Sequence, residues 1–195
     1  ATQEQLDSLR ADMGLDKPLV ERYFNWIGGV FVGQLGESTA FSQPVSNLIL
    51  ERLPVTLGLS LIAIIIVIAV AYPLAVISSR RPGRFADQIV SVICHIAFAV
   101  PPFVLSLLLI LFFCNAFGVF SVGQYTAPTE NFGSYLLCLL LPAVCIAIPK
   151  IAMIFKFLRS SILSEKGADY VNTAKSHGLS DMKIMLSHIL PNSNV

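Results

Sequence analysis

Residues with reactive side chains are few in this sequence of 195 residues, and their spacing favours neither a catalytic centre nor a metal site. No nucleophile stands with a base at a spacing that could act, and the G-x-x-x-x-G-K-[ST] phosphate loop is absent. An enzyme is therefore the least favoured class of protein. The cysteines show no C-x-x-C pair and lie in or beside apolar runs, which indicates small buried hydrophobic residues: Cys94, Cys114, Cys138 and Cys145.

Two ionisable residues, His95 and Lys150, lie within apolar stretches, where a charge is costly and tends to be kept for function. One histidine is weak support for a metal ligand, so we expect His95 to form a hydrogen bond between helices. We expect the Lys150 ammonium to reach the headgroup layer by snorkelling. A position facing a transport pathway is the alternative for this lysine.

The composition indicates a protein that lies in a bilayer. Hydrophobic residues make up 55% of the chain and charged residues 13%, with a mean hydropathy of +0.74. An ordinary soluble domain carries roughly a quarter charged residues. The formal net charge of +1 gives no reason to expect nucleic acid as a partner.

Three apolar segments are predicted to cross the membrane, at about residues 55–77, 88–117 and 135–158. The first has about 23 uncharged residues, which as a helix reach ~34 Å and exceed a hydrocarbon core of roughly 30 Å. The second contains Pro101 and Pro102 near its middle, and the loss of two amide donors predicts a kink or a break there. The fold class is therefore an all-α, multi-pass membrane protein.

The charges of the loops predict the orientation of these spans. Ser78–Arg84 contains three arginines, whereas Gly118–Ser134 contains neither lysine nor arginine. By the positive-inside rule the first loop is cytoplasmic and the second is external. Residues 166–195 are then cytoplasmic, and residues 1–50 are external.

The external segment is predicted to contain two helical stretches. The first, "TQEQLDSLRADMGLD", reads as a short polar helix that ends at Gly14. The second, "KPLVERYFNWIGGVFVGQLG", is amphipathic, and its glycines disfavour a long helix. A packed external domain is the alternative. Three aromatic residues of the second stretch suit a membrane interface: Tyr23, Phe24 and Trp26.

The last part of the chain predicts a helix, a glycine turn and a second helix. Ala168–Ser176 forms the first helix, Gly178 supplies the left-handed residue that ends it, and Ser180 caps the second helix with Asp181 at its positive end. Pro191 marks the end of the second helix.

The second helix carries an apolar face with i, i+3, i+4, i+7 spacing, formed by Met182, Met185, Leu186 and Ile189. Methionines adapt to the surface of a partner, so this face suits docking against another protein. A helix that lies on the cytoplasmic leaflet is the alternative.

The same residues resemble a known loop. "NTAKSHGLSDMKIMLSHILPN" is similar to the cytoplasmic loop of ABC-transporter permease subunits, E-A-A-x(3)-G-x(9)-I-x-L-P. Ala174, Gly178, Leu190 and Pro191 match, whereas Asn172, Thr173 and His188 depart from it. "DYVNTAKSHGLS" is closer to the form in the dipeptide, oligopeptide and nickel branch, and these residues fit it: Asp169, Tyr170, Thr173, Ala174, Gly178, Leu179 and Ser180.

Other stretches extend the resemblance over nearly the whole chain. "ATQEQLDSLRADMGLDKPLVERYFNWI" resembles the external segment of that branch, and "GQLGES" resembles its G-D-L-G-x-S with Gln34 in place of Asp. "PVSNLILERLPVTLGLS" and "AVPPFVLSLLLI" resemble the start of its second transmembrane helix and the proline-bearing region of the next helix.

The resemblance implies a permease subunit of a binding-protein-dependent importer in the inner membrane. Its partners would be a second permease subunit, two cytoplasmic ATPase subunits that bind ATP, and an external substrate-binding protein. The family has five to six spans, so we expect this chain to be incomplete at both ends. Peptides are the expected substrate; nickel or another small solute is the alternative, and a non-transporting membrane scaffold is the alternative from another class.

The resemblance also assigns residues to two roles. Pro101, Pro102 and Phe103 would belong to the translocation pathway, and a bend that serves only packing is the alternative for the proline pair. The contact that couples the chain to the ATPase would involve ten residues: Ala174, Gly178, Leu179, Ser180, Met182, Met185, Leu186, Ile189, Leu190 and Pro191.

Overall fold

The computed structural model describes residues 17–117, 125–127 and 129–193. The chain divides into two compact units, Ala1–Thr56 and Leu57–Val195. The short polar helix predicted to end at Gly14, and residues 118–124 and 128 of the loop before Ser134, lie outside the described residues.

The amphipathic stretch of the first unit forms the helix α1 (Leu19–Phe31). The helix runs through Gly28 and Gly29 and ends two residues before Gly33, whose φ of +83° is incompatible with its continuation. An antiparallel pair of two-residue strands follows, β1 (Glu37–Ser38) and β2 (Gln43–Pro44). The aromatic residues of α1 are exposed, as an interface helix requires: Tyr23, Phe24, Trp26 and Phe31.

The next helix, α2 (Val45–Arg80), has 36 residues and contains the first predicted span. Its length and composition allow it to cross a membrane. Within the second unit, Gly58 lies so close to α5 (Phe132–Glu165) that a Cβ there would overlap the Tyr135 hydroxyl. The absence of a side chain at Gly58 thus leaves room for the Tyr135 hydroxyl beside α2.

The second predicted span is broken, as the proline pair indicates. α3 (Phe85–Ala99) and α4 (Pro102–Leu109) meet at an angle of 104°, and α4 continues as a π-helical segment, Ile110–Ala116. Pro102 occupies the first turn of α4, where the missing amide donor costs no hydrogen bond. Among the described residues, two helices can therefore cross a membrane, or three if the bent pair counts as one span.

The third predicted span lies within α5, which has 34 residues and tolerates both Pro142 and Pro149. Its N-terminus is capped by the Asn131 side chain, whose Oδ1 accepts a hydrogen bond from the Ser134 amide at 3.0 Å. Helices α2 and α5 are thus both longer than the predicted spans that they contain.

Residues 169–192 form short helices that pack against the C-terminal parts of α2, α3 and α5. These are α6 (Asp169–Ser176), α7 (Asp181–Ile184), a π-helical segment (Met185–Ile189) and a last turn, α8 (Leu190–Asn192). One cluster of buried residues joins them: Ala75, Val76, Cys94, Ala152, Phe155, Leu158, Ile162, Val171, Ala174, Ile184, Met185 and Ile189. Residues of these short helices are therefore part of the core of the second unit.

Candidate coupling site

The turn between α6 and α7 confirms the predicted glycine. Gly178 has φ +79°, and its amide donates to the Lys175 carbonyl at 2.9 Å. The Leu179 amide donates to the Ala174 carbonyl at 3.3 Å. These bonds satisfy carbonyls that the end of a helix leaves open, and the left-handed conformation disfavours any residue with a Cβ.

The predicted cap of α7 is also present. The Ser180 hydroxyl accepts a hydrogen bond from the Lys183 amide at 3.4 Å, and Asp181 lies in the first turn. A serine cap and an early carboxylate both stabilise a helix N-terminus. The start of the second helix is therefore set by local sequence.

Only half of the predicted docking face is exposed, and the other half is buried. Met185 and Ile189 are each only 3% exposed and pack inside this chain, whereas Met182 and Leu186 are 40% and 50% exposed. Ile184, which lies outside the predicted face, takes the innermost position at 1% exposed. The helix must bury one side against its own chain, so only the other side is open to a partner.

The ten residues predicted for coupling therefore fall into three groups. Gly178, Ser180, Met182, Leu186 and Pro191 are exposed, Leu179 and Leu190 are half-buried, and Ala174, Met185 and Ile189 are buried. We use the name "terminal segment" for residues 169–192, which contain all ten. Its exposed part is the candidate contact for a partner, and its buried part anchors it.

Asp87 is a residue of this site that the sequence reasoning missed. It is 3% exposed and accepts two hydrogen bonds from Arg159, from Nε at 2.8 Å and from Nη2 at 2.7 Å. The Gly83 amide donates to it at 2.8 Å, and the Ser78 hydroxyl also donates to it. One carboxylate thus joins the end of α2, the start of α3 and the end of α5 through bidentate, charge-assisted bonds.

A lysine makes a second link between these elements. Lys166 Nζ donates to the carbonyl of Ser79 at 2.8 Å and to that of Arg80 at 3.5 Å. These carbonyls end α2, where a helix lacks amide partners and carries partial negative charge. A cation just after α5 therefore caps α2 and precedes the terminal segment.

Tyr170 fixes the start of the terminal segment. Its hydroxyl donates to Glu165 Oε2 at 2.6 Å. Burial raises the pKa of Tyr170, and the neighbouring Glu165 carboxylate raises it further, whereas a hydrogen bond with Asn192 acts in the opposite direction. The phenol is therefore neutral at physiological pH and acts as a hydrogen-bond donor.

The residues predicted for the pathway lie at the break between α3 and α4. Pro101, Pro102 and Phe103 are exposed, and Phe103 is 68% exposed. The Cys145 thiol of α5 approaches the Pro102 carbonyl at 3.7 Å. A broken helix needs protein or polar surroundings for its freed carbonyls, and α5 supplies part of them.

The expectation of a hydrogen bond between helices for His95 is wrong. His95 Nδ1 lies 2.6 Å from the Ser91 carbonyl on the same helix, because a residue four positions earlier is within reach on a helix. Lys150 is exposed on α5. Cys94 is buried and the other three cysteines are half-buried. In the part of the chain that the structure describes, no three metal-binding side chains come together.

Comparison with known proteins decides the family. Residues 71–195 match the family model described as the binding-protein-dependent transport system inner membrane component. Residues 1–60 match the model of the N-terminal region of such membrane components. The chain belongs to this family. This family member is accordingly a multi-pass membrane protein, as its long apolar helices indicate.

Three similar curated proteins are all named as permease proteins of peptide or dipeptide transport. A probable peptide ABC transporter permease protein of Sinorhizobium fredii is 31% identical over 195 residues, and a putative peptide transport system permease protein of Brucella suis is 32% identical; each alignment covers 100% of this chain and 62% of the relative. A dipeptide transport system permease protein of Lactococcus lactis is 30% identical, with 98% and 61% covered. This family member therefore spans about three-fifths of the length of these relatives.

Proposed function

We propose that this chain forms the membrane-spanning part of a permease subunit in an ABC importer of peptides. The observation that carries the proposal is the terminal segment, a helix–glycine–helix unit with an exposed edge and a buried side that packs against α2, α3 and α5. The names of the relatives, which refer to peptides or dipeptides, support this substrate class over nickel or another solute. A non-transporting scaffold would not need such an anchored, partly exposed segment.

The terminal segment would transmit motion because it is not a free loop. Its buried residues share one core with Phe155, Leu158 and Ile162 of α5. Four residues after Phe155, Arg159 holds α3 through Asp87, and Lys166 holds the last carbonyls of α2. A packed element with two discrete positions can carry a change at a partner into the membrane helices.

The family and the exposed edge of the terminal segment support a set of proposed partners. An ATPase subunit would contact the exposed edge at Met182 and Leu186, and it would bind and hydrolyse ATP outside this chain. Two such ATPases, a second permease subunit and an external substrate-binding protein would complete the importer. The break at Pro101, Pro102 and Phe103 would line the pathway, because it bends an apolar helix pair by 104°.

The proposed topology has residues 1–50 outside the inner membrane and residues 166–195 in the cytoplasm. The arginines after α2 and the lysines after α5 support it by the positive-inside rule. The exposed aromatic residues of α1 suit the outer interface.

Substitution of Gly178 tests the proposal. In the full-length permease, co-expressed with its cognate ATPase, we expect Gly178→Val to weaken ATPase binding on the order of tenfold, because a β-carbon at φ +79° costs roughly 1–2 kcal/mol and distorts the turn. The measurement is co-purification of the ATPase and peptide-stimulated ATP hydrolysis in reconstituted vesicles.

Two variants serve as controls. Gly178→Asn should retain most of the binding, because asparagine tolerates the left-handed conformation. Gly167→Ala should be neutral, because a Cβ there meets only ordinary contact at 3.5 Å from the Ser164 carbonyl. Normal binding and coupling by Gly178→Val would show that this segment is not the ATPase contact.

A further inference from the structure

A cleft between the end of α2 and the start of α3 is lined by three arginines, Arg80, Arg81 and Arg84. Its volume of about 650 Å³ lies within the range of roughly 300–1,000 Å³ that is typical of ligand sites. All three side chains are exposed. Across the described ranges, none of the three forms an ion pair with a carboxylate of this chain.

Asp87 also lines the cleft, yet its charge is not available to the arginines. Each of its two carboxylate oxygens already accepts two hydrogen bonds, from Arg159 and Ser78 on one oxygen and from Arg159 and Gly83 on the other. A carboxylate has about four acceptor positions, so Asp87 is saturated. The cleft therefore carries an uncompensated positive charge.

Apolar side chains border the same cleft. Ile77 is 59% exposed and Phe85 is 77% exposed, and both line it. Ile77 lies near the end of a helix that is long and apolar enough to cross a membrane. The cleft thus combines cations with an apolar border at the end of a membrane helix.

We propose that this cleft binds the phosphate headgroup of an anionic phospholipid. The guanidinium groups of Arg80, Arg81 and Arg84 would bind the phosphate oxygens, and Ile77 and Phe85 would contact the first part of an acyl chain. Arginine suits phosphate because its planar fork donates two parallel hydrogen bonds. Basic pockets between membrane helices are known to hold anionic headgroups. This site is additional to the proposed transport function.

An acidic surface of a partner protein or free phosphate could also meet three arginines. The apolar border favours the lipid, because neither of the others brings a hydrocarbon chain to Ile77 and Phe85. If the three arginines served only to orient the helices by the positive-inside rule, their charges would suffice and no cleft would be needed. The lipid is therefore the occupant that uses every feature of the site.

Lipid retention tests the proposal. The full-length permease is purified from mixed micelles that contain phosphatidylglycerol and phosphatidylcholine, and native mass spectrometry measures the lipid that stays bound. We expect the wild type to retain phosphatidylglycerol selectively. The triple variant Arg80→Gln, Arg81→Gln, Arg84→Gln should bind it on the order of 100-fold more weakly, because each basic residue near an anionic surface contributes roughly fivefold.

Three further variants control for general loss of charge, for misfolding and for the acyl-chain contact. Arg52→Gln, which removes another exposed arginine of α2, should bind phosphatidylglycerol like the wild type. Replacement of the three arginines by lysine should restore part of the retention, because lysine keeps the charge but lacks the bidentate fork, and this partial retention also shows that the changed loop still folds. Phe85→Ala should weaken binding of the lipid and leave binding of inorganic phosphate unchanged.

Three outcomes would overturn the proposal. Equal retention of phosphatidylglycerol by the wild type and the triple glutamine variant would exclude the site. Binding of inorganic phosphate by the wild type without selective retention of phosphatidylglycerol would show a free anion as the ligand, and loss of ATPase binding by the triple glutamine variant with unchanged lipid retention would show a protein contact. Because the assay needs neither ATP nor peptide, it gives its answer even if the chain is not an importer subunit.

Discussion

Asp87 is the residue on which the arrangement of the helix ends depends most. Its carboxylate is almost fully buried and is paired with Arg159, whose side chain is 27% exposed. Removing one member of a buried ion pair leaves the other without compensation, which costs more than the pair itself contributes. The pair therefore acts as a fixed link between α3 and α5, and it lies beside the core that the terminal segment joins.

Substitution of Asp87 by Asn should destabilise the protein by about 3 kcal/mol, because Arg159 would keep a half-buried charge without its partner. The measurement is thermal unfolding of the full-length permease in detergent. Glu51→Gln, at an exposed carboxylate, is the control and should change stability by less than about 0.5 kcal/mol.

The double variant Asp87→Asn, Arg159→Gln completes a double-mutant cycle. The two changes should be less costly together than the sum of the single changes, since residues in direct contact couple. Additive costs would mean that the two side chains do not interact in the folded protein.

At the scale of elements, α2 and α5 are the two described helices that are each long and apolar enough to cross a membrane, and α3 and α4 are separated by a bend of 104°. Helix α5 packs chiefly against this broken pair. Helix α2 approaches α5 at Gly58, which leaves room for the Tyr135 hydroxyl, and the Asn131 side chain caps the start of α5.

Gly58→Val should destabilise the protein by about 2 kcal/mol, because a larger side chain would overlap Tyr135 and press on Leu139. The same unfolding assay measures it. Tyr135→Phe should relieve part of the cost by removing the hydroxyl that the new side chain meets. Gly28→Ala, where a Cβ meets nothing within 4 Å, is the control and should not destabilise the protein.

At the scale of the whole molecule, the features that sequence predicted correctly are set by residues near one another in the chain. The left-handed Gly178, the Ser180 cap and the break at Pro101 and Pro102 each depend on a few neighbouring residues. The helix α2 extends beyond the predicted span, because polar residues such as Glu51 and Arg52 continue it past its apolar part.

Features that depend on packing between distant segments could not be predicted. Asp87 and Arg159 are 72 positions apart, and nothing in local spacing indicates that they meet. The docking face was predicted from helical periodicity alone, which shows that Met182, Met185, Leu186 and Ile189 share a side. It does not show that the core of the same chain takes Met185 and Ile189.

The central claim, that the exposed edge of the terminal segment contacts an ATPase subunit, is tested most directly by site-specific photo-cross-linking. A benzophenone amino acid replaces Leu186 in the full-length permease, assembled with its partner subunits; Met185, its buried neighbour, is the matched control position. We predict a cross-link from position 186 to the ATPase that changes in yield when ATP binds, and no such cross-link from position 185. Absence of an ATPase cross-link at position 186, or an equal yield at both positions, would contradict the account.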